Sequence, residues 1–109
     1  VLIQVNIAGE ASKSGCAPEQ VFELLQQVDA LEHLAVVGLM TMPPYFNDPV
    51  RVRPFFRELR LLAEKLSTAG FARASFDELS MGMSGDFEVA IEEGATLVRI
   101  GTAIFGARQ

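Results

Sequence analysis

The feature that most constrains this chain is a hydrophobic period that switches between strand-like runs and helical stripes along its whole length. Residues 1–7 (Val-Leu-Ile-Gln-Val-Asn-Ile) are apolar and β-branched enough for a buried parallel strand. After a small, polar loop, Pro18 suits a first helical position and Glu19 suits the positive N-terminal end of a helix. Val21, Leu24, Leu25, Val28 and Leu31 then fall on one helical face. Residues 34–40 predict a second buried strand, ended by Thr41-Met-Pro-Pro44, which cannot continue a ladder. Asp48 and Pro49 predict a cap and first position for a second helix. Its inner face carries Val52, Phe55, Phe56, Leu59, Leu62, Ala63 and Leu66, and its outer face Arg53, Arg57, Glu58, Arg60, Glu64 and Lys65. Gly70 supplies the stop. Residues 76–81 predict a third strand and residues 95–100 a fourth. Between them Ser84 is the expected N-cap of a short helix, with Asp86 and Glu88 in its first turn and Phe87, Ala90, Ile91 and Gly94 inward.

The order βαβαβαβ predicts an α/β fold, with right-handed crossovers, a parallel sheet and helices outside. Four such units are also half of an eight-stranded β/α barrel, which takes about 250 residues. An open sheet of four strands leaves two edges and one face bare. The chain has 109 residues and begins without Met, directly in a strand-like run. The expectation is therefore a single partial domain over residues 1–109, part of a longer chain.

Composition removes several function classes. A net charge of −5 with no basic run argues against a nucleic-acid footprint. No apolar run approaches the roughly 20 residues that span a bilayer. Cys16 is the single cysteine, so no internal disulfide forms, and a cytoplasmic, reducing setting fits. His33 is also alone, which rules out a multi-histidine metal site. No Ser-His-Asp, Cys-His or paired-carboxylate constellation is present.

The chemistry concentrates in residues 79–106. Small residues follow both late strands: Ser80, Gly82, Ser84 and Gly85 after one, Gly101 and Thr102 after the other. Glycine lets backbone approach a ligand closely, and turns of this kind aim successive N–H groups in one direction. Two such turns on adjacent parallel strands form an anion cradle, most often for phosphate, and in β/α barrels the phosphate site lies after the seventh and eighth strands. Plainer readings stand beside this one. The glycines serve equally as ordinary turn residues, Ser84 as a cap alone, and Arg99 as an ion-pair partner of Glu78 or Asp86. Cys16 reads as a neutral thiol, His33 as a surface residue, and Phe55 with Phe56 as core.

The motifs Glu10-Ala-Ser-Lys13-Ser-Gly15, Gly38-Leu-Met-Thr-Met-Pro43, Leu79-Ser-Met-Gly-Met-Ser84 with Asp86, and Val98-Arg-Ile-Gly-Thr-Ala-Ile-Phe-Gly106 occur in order and cover nearly the whole chain. In these the chain resembles the pyridoxal phosphate homeostasis proteins, one-domain relatives of the barrel domain of alanine racemase. The resemblance implies the second half of a (β/α)8 TIM-type barrel, roughly strands five to eight, with pyridoxal 5′-phosphate in its mouth. Arg99 then matches the arginine that faces the pyridine nitrogen, and Ser84, Gly101 and Thr102 match the phosphate donors. Ser80 matches a support behind Arg99, Met42 a residue packed near the ring, and Lys13 a lysine at the mouth. The family holds its cofactor as a Schiff base on a lysine of an early strand that this sequence does not contain. Lys65 is on the wrong element, Lys13 matches a different family position, and Tyr45 does not match the racemase base. The expected partners are the small-molecule cofactor and either the other half of the barrel or a second copy of the chain. The implied function is non-catalytic carriage of the cofactor. The alternatives are a racemase-like enzyme in full-length form or a generic phosphate-binding α/β module.

Overall fold

A computed structural model describes residues 1–9, 15–43 and 48–101. Four strands, β1 (Leu2–Gln4), β2 (Gly38–Met40), β3 (Glu78–Met83) and β4 (Leu97–Arg99), form one sheet in the order β1-β2-β3-β4. Every neighbouring pair is parallel. Parallel neighbours cannot be joined by a hairpin, so each is reached through a helical crossover. These are α1 (Val21–Asp29), α2 (Arg53–Ser67) and α3 (Phe87–Glu92). The α/β alternation read from the hydrophobic period is the observed one.

Register divides the sheet into two faces. Ile3, Leu39 and Leu79 are in line across three strands and are buried. With Val5 and Met81 they meet Val21 and Leu25 of α1, Phe56, Leu59, Ala63 and Leu66 of α2, and Val89 and Ala90 of α3 in one core. Gln4, Met40, Ser80 and Leu97 align on the opposite face. There Ser80 is buried, Gln4 and Met40 are half-buried, and Leu97 is exposed.

Element ends move from their expected places for local reasons. β1 and β2 are shorter than residues 1–7 and 34–40, because the ladder exists only where both strands run side by side. Beyond Gln4 the chain still pairs: Val5 bridges Cys16. The Cys16 N–H donates to the Gln4 carbonyl and the Asn6 N–H to the Cys16 carbonyl, both at 2.8 Å. β3 runs two residues past the expected end, so Ser80 and Gly82 belong to the strand and not to the turn. A register shift against β4 accommodates the extension. Gly82 adopts φ +104°, and a Cβ there would be 2.6 Å from Ala90 Cβ, so the glycine is what lets α3 lie on the sheet. β4 is likewise shorter than residues 95–100.

The helix signals hold in part. Asp48 caps the 3-10 turn Pro49–Val52 that leads into α2, its Oδ1 accepting the Val50 N–H at 3.0 Å. Gly70 closes the segment after α2 with φ +83°. The N-cap position of α3 is taken by Asp86 and not Ser84, without a side-chain capping bond. The inner face of α3 is Val89 and Ala90, while Ile91 points out with 54% exposure. α2 also differs from expectation on its polar side. Arg53, Arg57 and Arg60, spaced i, i+4, i+7, do not simply face solvent but converge on Glu93, just past the end of α3. Glu93 is buried, and hydrogen bonds from Arg57 and then Arg53 hold its carboxyl below the ordinary carboxylate value.

Two outcomes follow. Gly38→Ala sets a Cβ 1.8 Å from the Glu78 carbonyl oxygen, and Gly82→Ala adds a left-handed torsion to its clash, whereas an added Cβ at Gly85 meets nothing within 4 Å. Chemical denaturation should show each of the first two losing about 2 kcal/mol or more, and Gly85→Ala far less. A lowered folded-state pKa contributes stability above the unfolded value and loses it as pH falls through the folded value. The stability gap between the parent and Glu93→Gln should therefore be full at neutral pH and close as pH drops below about 4.

Candidate functional site

Because all four strands are parallel, their C-terminal ends share one rim, where ligands of parallel α/β folds bind. Thr41 ties that rim together. It follows β2, is fully buried, and uses three polar groups on three different segments. Its N–H donates to the Ser80 carbonyl of β3 at 3.1 Å. Its Oγ1 donates to the Val5 carbonyl beyond β1 at 2.8 Å. Its own carbonyl accepts Arg99 Nη2 of β4 at 2.7 Å. The proline that follows at 43 ends the strand, which frees Thr41 from a regular ladder for this junction.

Arg99 is thereby held from behind. Its Nε is buried and has no hydrogen-bond partner among the described residues. Burial pushes the guanidinium below its ordinary pKa, and the Asp86 carboxylate pulls it the other way. Arginine stays cationic within such shifts. It makes no ion pair with Glu78 or Asp86 among the described residues: Asp86 Oδ1 accepts the Met83 N–H at 2.7 Å, and Glu78 Oε2 accepts the Thr96 hydroxyl at 3.0 Å. A buried, oriented donor on a cation is a place where an acceptor atom of a ligand fits.

Beside Arg99, the turns after β3 and β4 touch. The Gly101 N–H donates to Ser84 Oγ at 3.2 Å. That bond uses an acceptor site of the Ser84 hydroxyl. Ser84, Arg99 and Gly101 are therefore gathered on one part of the rim. Ser80 stands behind them, buried, and reaches the group through its carbonyl bond to Thr41. No hydrogen bond joins Ser80 to Arg99 among the described residues. Met42 lies on the same rim and is 40% exposed. Thr102 and Lys13 lie outside the described residues, as do Glu10 and Tyr45.

A cavity of about 260 Å³ opens at the Ser84 turn, lined by Ser84, Gly85, Asp86, Glu88, Pro49 and Val50 among others. Two carboxylates in its wall, Asp86 and Glu88, make it a poor seat for an anion. α3 has six residues, too few for a large macrodipole. The turns themselves and Arg99 carry the positive character.

Comparison with known proteins places the chain. The family described as alanine racemase, N-terminal domain, matches residues 1–109. The chain belongs to that family. A pyridoxal phosphate homeostasis protein of Aquifex aeolicus is 52% identical over 109 residues, covering 100% of this chain and 47% of the relative. One of Vibrio alginolyticus is 51% identical over 108 residues, 99% of this chain and 45% of the relative. The chain thus spans about half the length of the curated relatives it matches. Among solved structures, PipY of Synechococcus elongatus with pyridoxal phosphate bound superposes with a TM-score of 0.82 at 30% identity, over 96% of this chain and 48% of PipY. The form without the cofactor gives 0.86 at 32%, with the same coverage.

Two residues outside the cradle are also placed. Cys16 is half-buried, and burial followed by the charge of Glu19 pushes its thiol pKa up, so it is a neutral thiol. His33 is exposed. Thr41 was absent from the expected site set; its signal was its place between the second strand and a proline, which marks a strand end but names no partner. Thr41→Val keeps the shape and both backbone bonds but removes the Oγ1 donor from the Val5 carbonyl. Its denaturation midpoint should fall by an amount worth about 1–3 kcal/mol, with the fold intact by circular dichroism.

Proposed function

We propose that this chain is the phosphate-binding and ring-nitrogen-binding half of a pyridoxal 5′-phosphate site, in a protein that carries the cofactor without turning substrate over. The observation that supports it most is Arg99: a guanidinium fixed by the Thr41 carbonyl, with a buried, unpartnered Nε, next to the Ser84–Gly101 contact. The names of the relatives at about half identity, and PipY with its bound cofactor, favour the same ligand.

The residues divide the work by chemistry. The Ser84 hydroxyl, held in place by the Gly101 N–H that donates to it, is the group proposed to face the phosphate oxygens, with Thr102 expected beside it. Arg99 donates to the ring nitrogen. A guanidinium remains protonated and cannot take a ring proton, so the nitrogen it faces stays unprotonated. When bound, pyridoxal phosphate supplies an aldehyde on an electron-withdrawing ring, and the withdrawal is weaker beside such a partner than beside an acid. Weak withdrawal suits carriage. Met42 on the rim is the residue proposed to cover the ring, and Lys13, outside the described residues, is expected at the mouth.

The covering of the second sheet face belongs to the same reading. Four consecutive parallel strands, two open edges and a half-polar face through Gln4, Met40 and Ser80 suit the second half of a (β/α)8 barrel. The first half of that barrel closes it and brings the covalent lysine, whereas a second copy of the chain would close the face without supplying one. Among the described residues no helix is long and apolar enough to cross a membrane.

A second reading is racemase-like catalysis by a full-length form, favoured by the family match itself. Alanine racemisation measured on the full-length chain separates the two: no turnover above background is expected. Equilibrium dialysis with the cofactor tests the site. Arg99→Met should weaken binding about tenfold or more, as loss of a charged hydrogen bond does, and Ser84→Ala about fivefold. Unchanged affinity in Arg99→Met would remove Arg99 from the site.

A further inference from the structure

α3 is the element that carries the Ser84 turn, and six residues cannot hold a helix in place by themselves. Its position comes from what grips it. Along its inner face the grip is Val89 in the core and Ala90 over Gly82. Glycine presents no side chain to interlock with, so the Ala90 contact sets how closely α3 approaches the sheet. That leaves Val89 as the one buried side chain resisting a slide of α3 along its own axis. At the far end the grip is ionic. The Glu93 carboxylate, 6% exposed, accepts Arg53 Nη1 at 2.8 Å and Arg57 Nη2 at 3.2 Å on Oε2, and Arg57 Nε at 3.3 Å on Oε1. Arg60 Nη2 is 3.7 Å from Oε1, and the Arg60 stem lies over Gly94, which turns away at φ +106°. Glu92 adds a second carboxylate to Arg53. The forked geometry from Arg57 fixes direction as well as distance.

At its near end the Asp86 N–H donates to the Met83 carbonyl at 3.1 Å, and side-chain bonds add to the hold. Asp86 Oδ1 accepts the Met83 N–H, and Ser84 Oγ accepts the Gly101 N–H at 3.2 Å. The second is already at the long end of the hydrogen-bond range, so an axial slide of about 0.5 Å breaks it.

We propose that Glu93, with Arg53 and Arg57 of α2, forms a positioning clamp that sets the axial place of α3 and thereby brings the Ser84 turn against Gly101. The clamp acts through α3 and touches no ligand. Its benefit for phosphate binding rests on the cofactor reading above; its effect on the turn does not.

Solvent exchange of backbone amides, followed by NMR in the full-length chain, tests the clamp without any ligand. Glu93→Gln keeps size and removes charge. It should speed exchange at Gly101 and Met83 by about tenfold or more beyond any change at Ile3 and Leu39 in the sheet, which register the global loss of stability. Arg57→Gln, at a half-exposed position that folds independently of buried charge, should shift the same two amides in the same direction, and Glu93→Asp should restore part of the protection. Unchanged exchange at Gly101 in a folded Arg57→Gln or Glu93→Gln variant overturns the proposal. So does an acceleration spread evenly over Gly101, Ile3 and Leu39, which signifies general loosening. A parallel titration compares pyridoxal 5′-phosphate with pyridoxal. In Glu93→Gln affinity should fall severalfold for the phosphorylated compound alone. A parent chain that does not prefer the phosphorylated compound overturns the cofactor reading, while the exchange data still decide the clamp.

Discussion

Parallel pairing is the constraint from which the rest of this structure follows. A strand that must run beside its predecessor in the same direction needs a long return path, and here each return is a helix packed on the same face. That arrangement buries Ile3, Leu39 and Leu79 against the helices and sends every strand-to-helix turn to one rim. The polar groups freed where the strands stop are then close enough to bond one another. Thr41 is the clearest product: one residue past a strand end whose amide, hydroxyl and carbonyl serve three different neighbours. With antiparallel strands these ends would alternate between two rims and no such junction would form.

The rim carries charge in a controlled way. Arg99 is partly desolvated, which disfavours the cation, and the Thr41 carbonyl dipole and the Asp86 carboxylate offset the cost. The guanidinium is oriented and one of its N–H groups remains for an acceptor. The second charged cluster, Glu93 with its arginines, is in a different place and serves a different end. It lies where two helices meet, away from the rim, and links the two through α3. Opposite charges with few exposed atoms hold a direction that apolar packing over a glycine does not.

Several features were legible in the residues alone because they depend on local periodicity. The stripe from Val52 to Leu66 and the Gly70 stop appear as read, while Asp48-Pro49 open a 3-10 turn that leads into the helix. Other features were not legible, because they depend on partners distant in sequence. Ser84 reads as a cap from its neighbours, but its hydroxyl takes the Gly101 N–H, and the nearer Asp86 takes the N-cap position. Arg53, Arg57 and Arg60 read as a solvated face, because nothing in α2 announces that Glu93 arrives above them. Gly82 reads as a turn residue, yet it is inside β3, where its missing side chain admits a helix.

The sequence by itself determined the α/β alternation, the helix faces and the family to which the chain belongs, since periodicity and contiguous motifs are properties of neighbours along the chain. It also marked Ser84, Arg99 and Gly101 as a group through the motifs that carry them. Only the tertiary structure decided that Thr41 holds Arg99, that Ser84 meets Gly101, and that Glu93 draws three arginines together. Those are contacts over 58, 17 and 33 to 40 residues of chain. Such contacts exist only once parallel register has placed the strand ends side by side, and register is a relation between segments that no single segment encodes.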